Sequence, residues 1–169
     1  MLEMVPIVIA SVMPSDVKTG GLRSFAGQDE DGDLEVDTHH TIEDTGIVLG
    51  QAIRKAVGDK KGICRYGSQI LPMDEALVIC ALDLCGRPYL VYDLNLDREK
   101  VGDLETEMVR EFFYAVSYGG EMNLHLRQMS GSNNHHIIEA AFKAFAKALD
   151  GATGYDPRLT DVLSTKGSL

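Results

Sequence analysis

Four of the five histidines in this chain fall in two adjacent pairs, and each pair is followed at the same offset by a glutamate. The pattern reads His39-His40-x-x-Glu43 and again His135-His136-x-x-Glu139. The surrounding residues match in the same alignment: Ile42 with Ile138, Ala52 with Ala148 and Ile53 with Leu149. A motif that recurs with its flanking apolar positions is an internal repeat. The chain is therefore expected to consist of two half-domains, each with a helix that opens on the same His/Glu motif.

Both helices are amphipathic. In the second, Ile138, Phe142, Phe145 and Leu149 recur at helical spacing, Asn133 or Asn134 can cap the start, and Gly151 is the expected stop. In the first, Ile42, Leu49, Ile53 and Val57 form the stripe, Asp37 or Thr38 can cap, and Gly58 follows as a stop. Residues four apart share a helix face, so His39 with Glu43, and His135 with Glu139, can each chelate one ion. His40 and His136 point elsewhere. The economical solution is two ions related by the repeat, one on His39, Glu43 and His136, the other on His135, Glu139 and His40. Imidazole-plus-carboxylate sets with open positions suit Mn(II), Fe(II) or Zn(II), and a shell without thiols leans toward Mn(II).

Composition narrows the class. A net charge of −10 and a pI of about 4.8, with no Lys/Arg cluster, argue against a nucleic-acid backbone as partner. The apolar Val5–Met13 stretch is far short of the roughly 20 residues that span a bilayer, and no basic region precedes it. No membrane association and a cytoplasmic location are expected. Three cysteines, Cys64, Cys80 and Cys85, without CxxC spacing, read as reduced and mostly buried thiols. Neither HExxH nor HxxEH occurs, which disfavours a metalloprotease.

The two motif segments, DTHHTIEDTGIVLGQAI and NNHHIIEAAFKAFAKAL, resemble the signature segments of the imidazoleglycerol-phosphate dehydratase family. GICRYG, PMDEAL, LDLCGRPYLV, EFFYA, NLHLRQMSG and the terminal STKG follow in that family's order. The resemblance covers roughly residues 32–169, a dehydratase-like domain with the internal repeat, preceded by an atypical segment 1–31. It implies the ribosomal protein S5 domain 2-like form of the α+β class: duplicated half-domains with helices packed against mixed β-sheets. It also implies a lyase of histidine biosynthesis that dehydrates imidazole glycerol phosphate to imidazole acetol phosphate. The family uses two manganese ions per active site, in a large cage-like homo-oligomer of twenty-four chains whose sites lie between subunits.

That chemistry is consistent with the residues. Losing the substrate hydroxyl requires the imidazole ring to be deprotonated, and two Lewis-acidic ions would stabilise the imidazolate. Glu43 and Glu139 are the expected catalytic carboxylates. The family's substrate contacts fall on Arg65, Arg87, Lys143, Ser164 and Lys166; arginine suits a bidentate grip on phosphate, lysine a point charge and serine a hydroxyl. Some members carry a metal-ligating histidine where Glu111 stands; Glu111 either ligates in its place or simply adds charge. His125 is expected to line the site from a strand, the alternative being a hydrogen-bonded histidine near the core. Asp74 and Glu75 of PMDEAL are either structural or near substrate.

Residues 1–31 depart from the family, whose members begin with a strand pair carrying RxTxET, with a glutamate implicated in proton transfer, and a helix carrying FxDHM, with another metal ligand. Neither is present. A truncated or frame-shifted reading of the gene is the expected origin, and a non-catalytic, degenerate metal-binding homologue is the competing reading. Val5–Met13 can form one strand and Thr19–Asp33 reads as a loop. The rest predicts a helix over 39–57, a strand pair at 76–84 and 88–96 turning at Cys85-Gly86-Arg87, a helix over 104–118, a strand at 122–128 and the second motif helix to 149. The tail from Gly151 has too few apolar residues for core and is expected to reach a neighbouring subunit or fold over the ligand.

Overall fold

The computed structural model describes residues 38–165, with side chains from His40 onward. The expected Val5–Met13 strand, the Thr19–Asp33 loop, the Asp37 cap, the His39 side chain and Lys166 lie outside the described residues. In chain order the elements are α1 (Thr38–Val57), β1 (Tyr66–Met73), β2 (Ala76–Asp83), β3 (Tyr89–Asp93), β4 (Lys100–Val101), β5 (Leu104–Glu105), α2 (Glu107–Gly119), β6 (Asn123–Ser130) and α3 (Asn134–Thr153). This is an α+β arrangement.

One four-stranded sheet, in the order β1-β2-β6-β3, carries the helices on one face. Strict alternation in β2 puts Ala76, Val78, Cys80 and Leu82 inward, as the sequence pattern predicts. Leu124 and Leu126 of β6 continue that buried face. One strand has no counterpart in the sequence reading, and one strand expectation needs correction. Tyr66–Met73 is a full strand, antiparallel to β2 through a two-residue turn at Asp74-Glu75, with Asp74 at φ 48°. Its Gly67 and Pro72 weaken the strand pattern, and Pro72 is tolerated because β1 is an edge strand. Nor do β2 and β3 form a hairpin. The chain passes through Gly86 at φ 76° and crosses to the far side of β6, where β3 pairs in parallel, Val91 opposite His125. Parallel pairing requires such a crossover.

The first helix ends as expected, at Val57 with Gly58 at φ 53°. It packs on α2 at close range because Gly46 and Gly50 stand against Ala115 and the Val116–Gly120 backbone. Phe112 and Phe113 of α2 meet Phe142 of α3 at ring-centroid separations of 5.1 and 4.8 Å, and Phe113 also meets Phe145 at 5.7 Å. All four rings are fully buried, each contributing roughly 1.5–3 kcal/mol of apolar burial.

The second motif helix runs four residues past its expected end, to Thr153, with Gly151 inside it. Asn133 is its cap, its side chain accepting from the His135 and His136 backbone N–H groups. An alanine face at Ala140, Ala141, Ala144, Ala148 and Ala152 is buried, and the helix lies along the β1–β2 hairpin. A Cβ at Gly67 would stand 1.8 Å from the Ala148 carbonyl oxygen, so only glycine admits this approach. The tail does not project freely: Gly62 N–H donates to the Asp161 carbonyl and Asp156 N–H to the Gly62 carbonyl, and Lys61 pairs with Val162 and Ile63 with Tyr155.

Gly67→Ala is expected to cost at least about 3 kcal/mol, since the obstacle is helix backbone and cannot rotate away. Gly151→Ala meets nothing within 4 Å and is expected to stabilise by about 0.5–1 kcal/mol. Denaturant unfolding of the two variants checks both signs.

Candidate active site

The second motif opens α3 on the solvent side of its first turn. Asn133 fixes the start of the helix, so His135 and Glu139 fall on one face, with His135 Nε2 3.4 Å from Glu139 Oε2. Two donors each about 2.1 Å from one ion stand roughly 3.0–3.4 Å apart at octahedral to tetrahedral angles. The pair therefore fits one divalent ion without rearrangement. Glu139 also accepts a short hydrogen bond from Lys143 Nζ, one turn on. That bond is the main reason its carboxyl lies below the usual range, which favours the ionised form that could ligate an ion.

His136 turns away from that face, as adjacent helix residues must. Its Nδ1 stands 2.7 Å from Glu75 Oε2, and its Nε2 is 3.6 Å from Asp74 Oδ2. The PMDEAL turn, open to either reading by sequence, thus lies beside the second motif. The other oxygen of Glu75, Oε1, accepts from the backbone N–H groups of Asn133 (2.8 Å) and Ser132 (3.3 Å), a carboxylate at a helix N-terminus where the macrodipole favours it. The His136 hydrogen bond, then that of Asn133, brings the Glu75 carboxyl down to about 2. Reciprocally, Glu75 raises the His136 imidazole above its ordinary value. The sequence signal for Glu75 was only the acidic pair of PMDEAL; nothing in it connected that pair to a histidine 61 positions later.

The other predicted donors do not gather at this end of α3. His40 and Glu43 are exposed on α1, which packs on α2, while α3 packs on β1 and β2. Among the described residues no group of three or more His, Cys, Asp or Glu side chains converges to hold an ion. Glu111, half-exposed on α2, pairs with Arg110 at 2.9 Å. His125 is exposed on the sheet face opposite the helices, beside Ala81 and Val91, so it is not a core histidine.

The predicted phosphate contacts divide: Lys143 stands beside Glu139 and not with the others, whereas the arginines and Ser164 meet at the opposite end of α3. Arg65, Arg87, Arg158 and Ser164 line an open cleft of about 680 Å³. Arg65, 8% exposed and at φ 67°, donates through Nε and Nη2 to the two oxygens of Asp83 (2.6 and 3.0 Å) and through Nη1 to the Leu163 carbonyl (2.6 Å). Asp83 raises its pKa further. Of five guanidinium N–H groups, one on each Nη is left for a ligand. Arg87 is exposed, and Arg158 is paired with Asp156 at 2.6 Å. Asp83 was not anticipated as part of this site: it lies in the LDLCGRPYLV segment, but as the last residue of a strand nothing local tied it to Arg65. Arg65 N–H donates to the Ala152 carbonyl, whereas His135 stands at the other end of the same helix. At 1.5 Å per residue the two ends of α3 are roughly 25 Å apart.

Comparison with known proteins places this arrangement. The model of the imidazoleglycerol-phosphate dehydratase family matches residues 24–149. A curated imidazoleglycerol-phosphate dehydratase from Lachnoclostridium phytofermentans is 67% identical over 138 residues, 82% of this chain and 70% of its own length. One from Acetivibrio thermocellus is 62% identical over 82% of this chain and 71% of its own. The crystal structure of the Staphylococcus aureus enzyme superposes with a TM-score of 0.69 at 46% identity, covering 71% of this chain and 70% of that one. By fold and relatives the chain is an α+β enzyme of the hydro-lyase class. It belongs to the imidazoleglycerol-phosphate dehydratase family, the hydro-lyases of histidine biosynthesis.

Asp83→Ala would leave the Arg65 guanidinium buried without its counter-charge. The expected loss is about 2–3 kcal/mol, somewhat below the fully buried case because the Asp83 side chain is 21% exposed. Chemical denaturation of the variant measures it.

Proposed function

We propose that this chain removes water from D-erythro-imidazole glycerol phosphate to give imidazole acetol phosphate, with two Mn(II) ions per active site and with each site shared between copies of the chain. The observation that carries the reading is the division of α3: an ion-ready His/Glu pair at its N-terminal end and a cationic cleft at its C-terminal end. The substrate is one ring on a three-carbon phosphorylated chain, far shorter than the roughly 25 Å between those ends. One molecule cannot touch both ends of one helix. A homo-oligomer that sets the N-terminal end of one α3 beside the cleft of another resolves this.

In that site His135 and Glu139 would hold one ion together with His40, and His136 would hold the other together with His39 and Glu43, the donors of the first repeat coming from neighbouring copies. Bound there, manganese supplies Lewis-acid stabilisation of the negative charge that develops on the substrate's imidazole ring. The residues of the chain do the rest. Lys143 keeps Glu139 ionised and adds positive charge to the site. Arg87 and the two remaining N–H groups of Arg65 grip phosphate, with the hydroxyl of Ser164 and the charge of Lys166 from the tail. The Asp83 carboxylate and Leu163 carbonyl hold the Arg65 fork in place before substrate arrives, which reduces the ordering cost of binding. A solvent-exposed site made of charged side chains fits a soluble, phosphorylated metabolite and neither nucleic acid nor membrane; no described helix is long and apolar enough to cross a bilayer.

The test is dehydration of imidazole glycerol phosphate by the full chain loaded with Mn(II). Turnover is expected, and His135→Ala or Glu139→Ala should lose manganese binding and turnover together. Retained activity in either variant would remove His135 and Glu139 from the metal site. Manganese bound by a folded wild-type chain without turnover would favour the degenerate homologue.

A further inference from the structure

We infer that Glu75 is a positioning residue for the active site: its carboxylate fixes the ring orientation and tautomer of His136, turning the lone pair of Nε2 outward as the ligating atom. The inference rests on the reading of His136 as a metal donor, and it concerns a residue that the motif itself does not contain.

The geometry leaves little freedom. An ionised carboxylate only accepts hydrogen bonds, so the 2.7 Å contact between Glu75 Oε2 and His136 Nδ1 requires the ring proton on Nδ1. In the neutral ring, the form that binds a metal, Nε2 then carries the lone pair. It stands 3.6 Å from Asp74 Oδ2, too far for a hydrogen bond, and the side chain keeps 23% of its surface open. Glu75 cannot drift, because its second oxygen is held by two backbone N–H groups at the start of α3 and its own carbonyl accepts from Ser130 Oγ at 3.0 Å. It sits at the tip of a two-residue turn between β1 and β2, a position set by the sheet and not by the helix. The strand hairpin therefore reaches across to aim a helix residue. Metal-ligating histidines commonly have this second partner on the other ring nitrogen, and losing it lowers metal affinity about 10–100-fold.

Glu75→Gln separates aiming from mere bracing. The glutamine oxygen can still accept from Ser132 and Asn133, so the turn stays latched to the helix. Its amide NH₂ now faces Nδ1 and donates, which moves the ring proton to Nε2. Two readouts are needed on the full chain. Side-chain ¹H–¹⁵N spectra of metal-free protein, at a pH where the ring is neutral, should show His136 protonated on Nδ1 in the wild type and on Nε2 in Glu75→Gln. Titration with Mn(II), followed by the spin-resonance signal of free manganese, should show affinity about 10–100-fold weaker in the variant, with the unfolding midpoint little changed. An unchanged tautomer overturns the inference, as does a switched tautomer with manganese affinity within about twofold of wild type. His136→Ala keeps the two failures apart: if it binds Mn(II) like the wild type, His136 is not a donor and the underlying reading falls, whereas if it loses binding while Glu75→Gln does not, only the positioning role falls.

Discussion

The approach of α3 to the β1–β2 hairpin is the constraint on which the rest of this structure depends. It is possible only because Gly67 has no side chain where the Ala148 carbonyl comes through, and because an alanine face lets helix and sheet close together. From that contact the inner face of β2 and β6 is sealed, and the phenylalanine cluster between α2 and α3 locks the two helices together. The hairpin runs the length of the helix packed on it, so each end of one meets an end of the other.

Chemistry is distributed by that pairing. At the hairpin's turn, Glu75 binds the start of α3 and meets His136, beside the His135 and Glu139 pair. At the open end, Arg65 and Asp83 face one another where the two strands begin and end their pairing, and Arg65 takes the Ala152 carbonyl of the helix terminus. Acid and imidazole groups gather where the helix dipole is positive; guanidinium groups gather where it is negative, which suits the carboxylates and the guanidinium groups. One rigid helix thus carries both halves of the proposed site at ends too far apart for one substrate molecule to touch, which is the physical ground for proposing that copies share it.

Much of this was legible in the amino-acid order. The repeated motif marked both helices, the Val78, Cys80 and Leu82 alternation marked β2, and Asn133 and Gly58 stand at the helix ends where capping chemistry puts them. Local signals failed where the deciding interaction was non-local. β1 has a weak pattern because Gly67 answers to a helix 81 positions away rather than to its strand, and Pro72 answers to an edge. Cys85-Gly86-Arg87 resembles a hairpin turn, yet β6 takes the place beside β2 and sends β3 to its far side. Gly151 looked like a stop, but the helix continues because Ala152 is buried against the sheet and its carbonyl is taken by Arg65. The pairing of Glu75 with His136 was invisible for the same reason: it exists only once the hairpin lies along the helix.

The shared site is tested most directly by complementation. A His135→Ala/Glu139→Ala chain lacks the donor end of α3, and an Arg87→Ala chain lacks the exposed guanidinium of the cleft, so each alone should be inactive or nearly so. Unfolded together and refolded with Mn(II), the two should recover imidazole glycerol phosphate dehydration, because some sites then combine an intact end from each. Mixtures that mass spectrometry shows to be co-assembled, yet that stay as inactive as their parents, would contradict a site built from different copies.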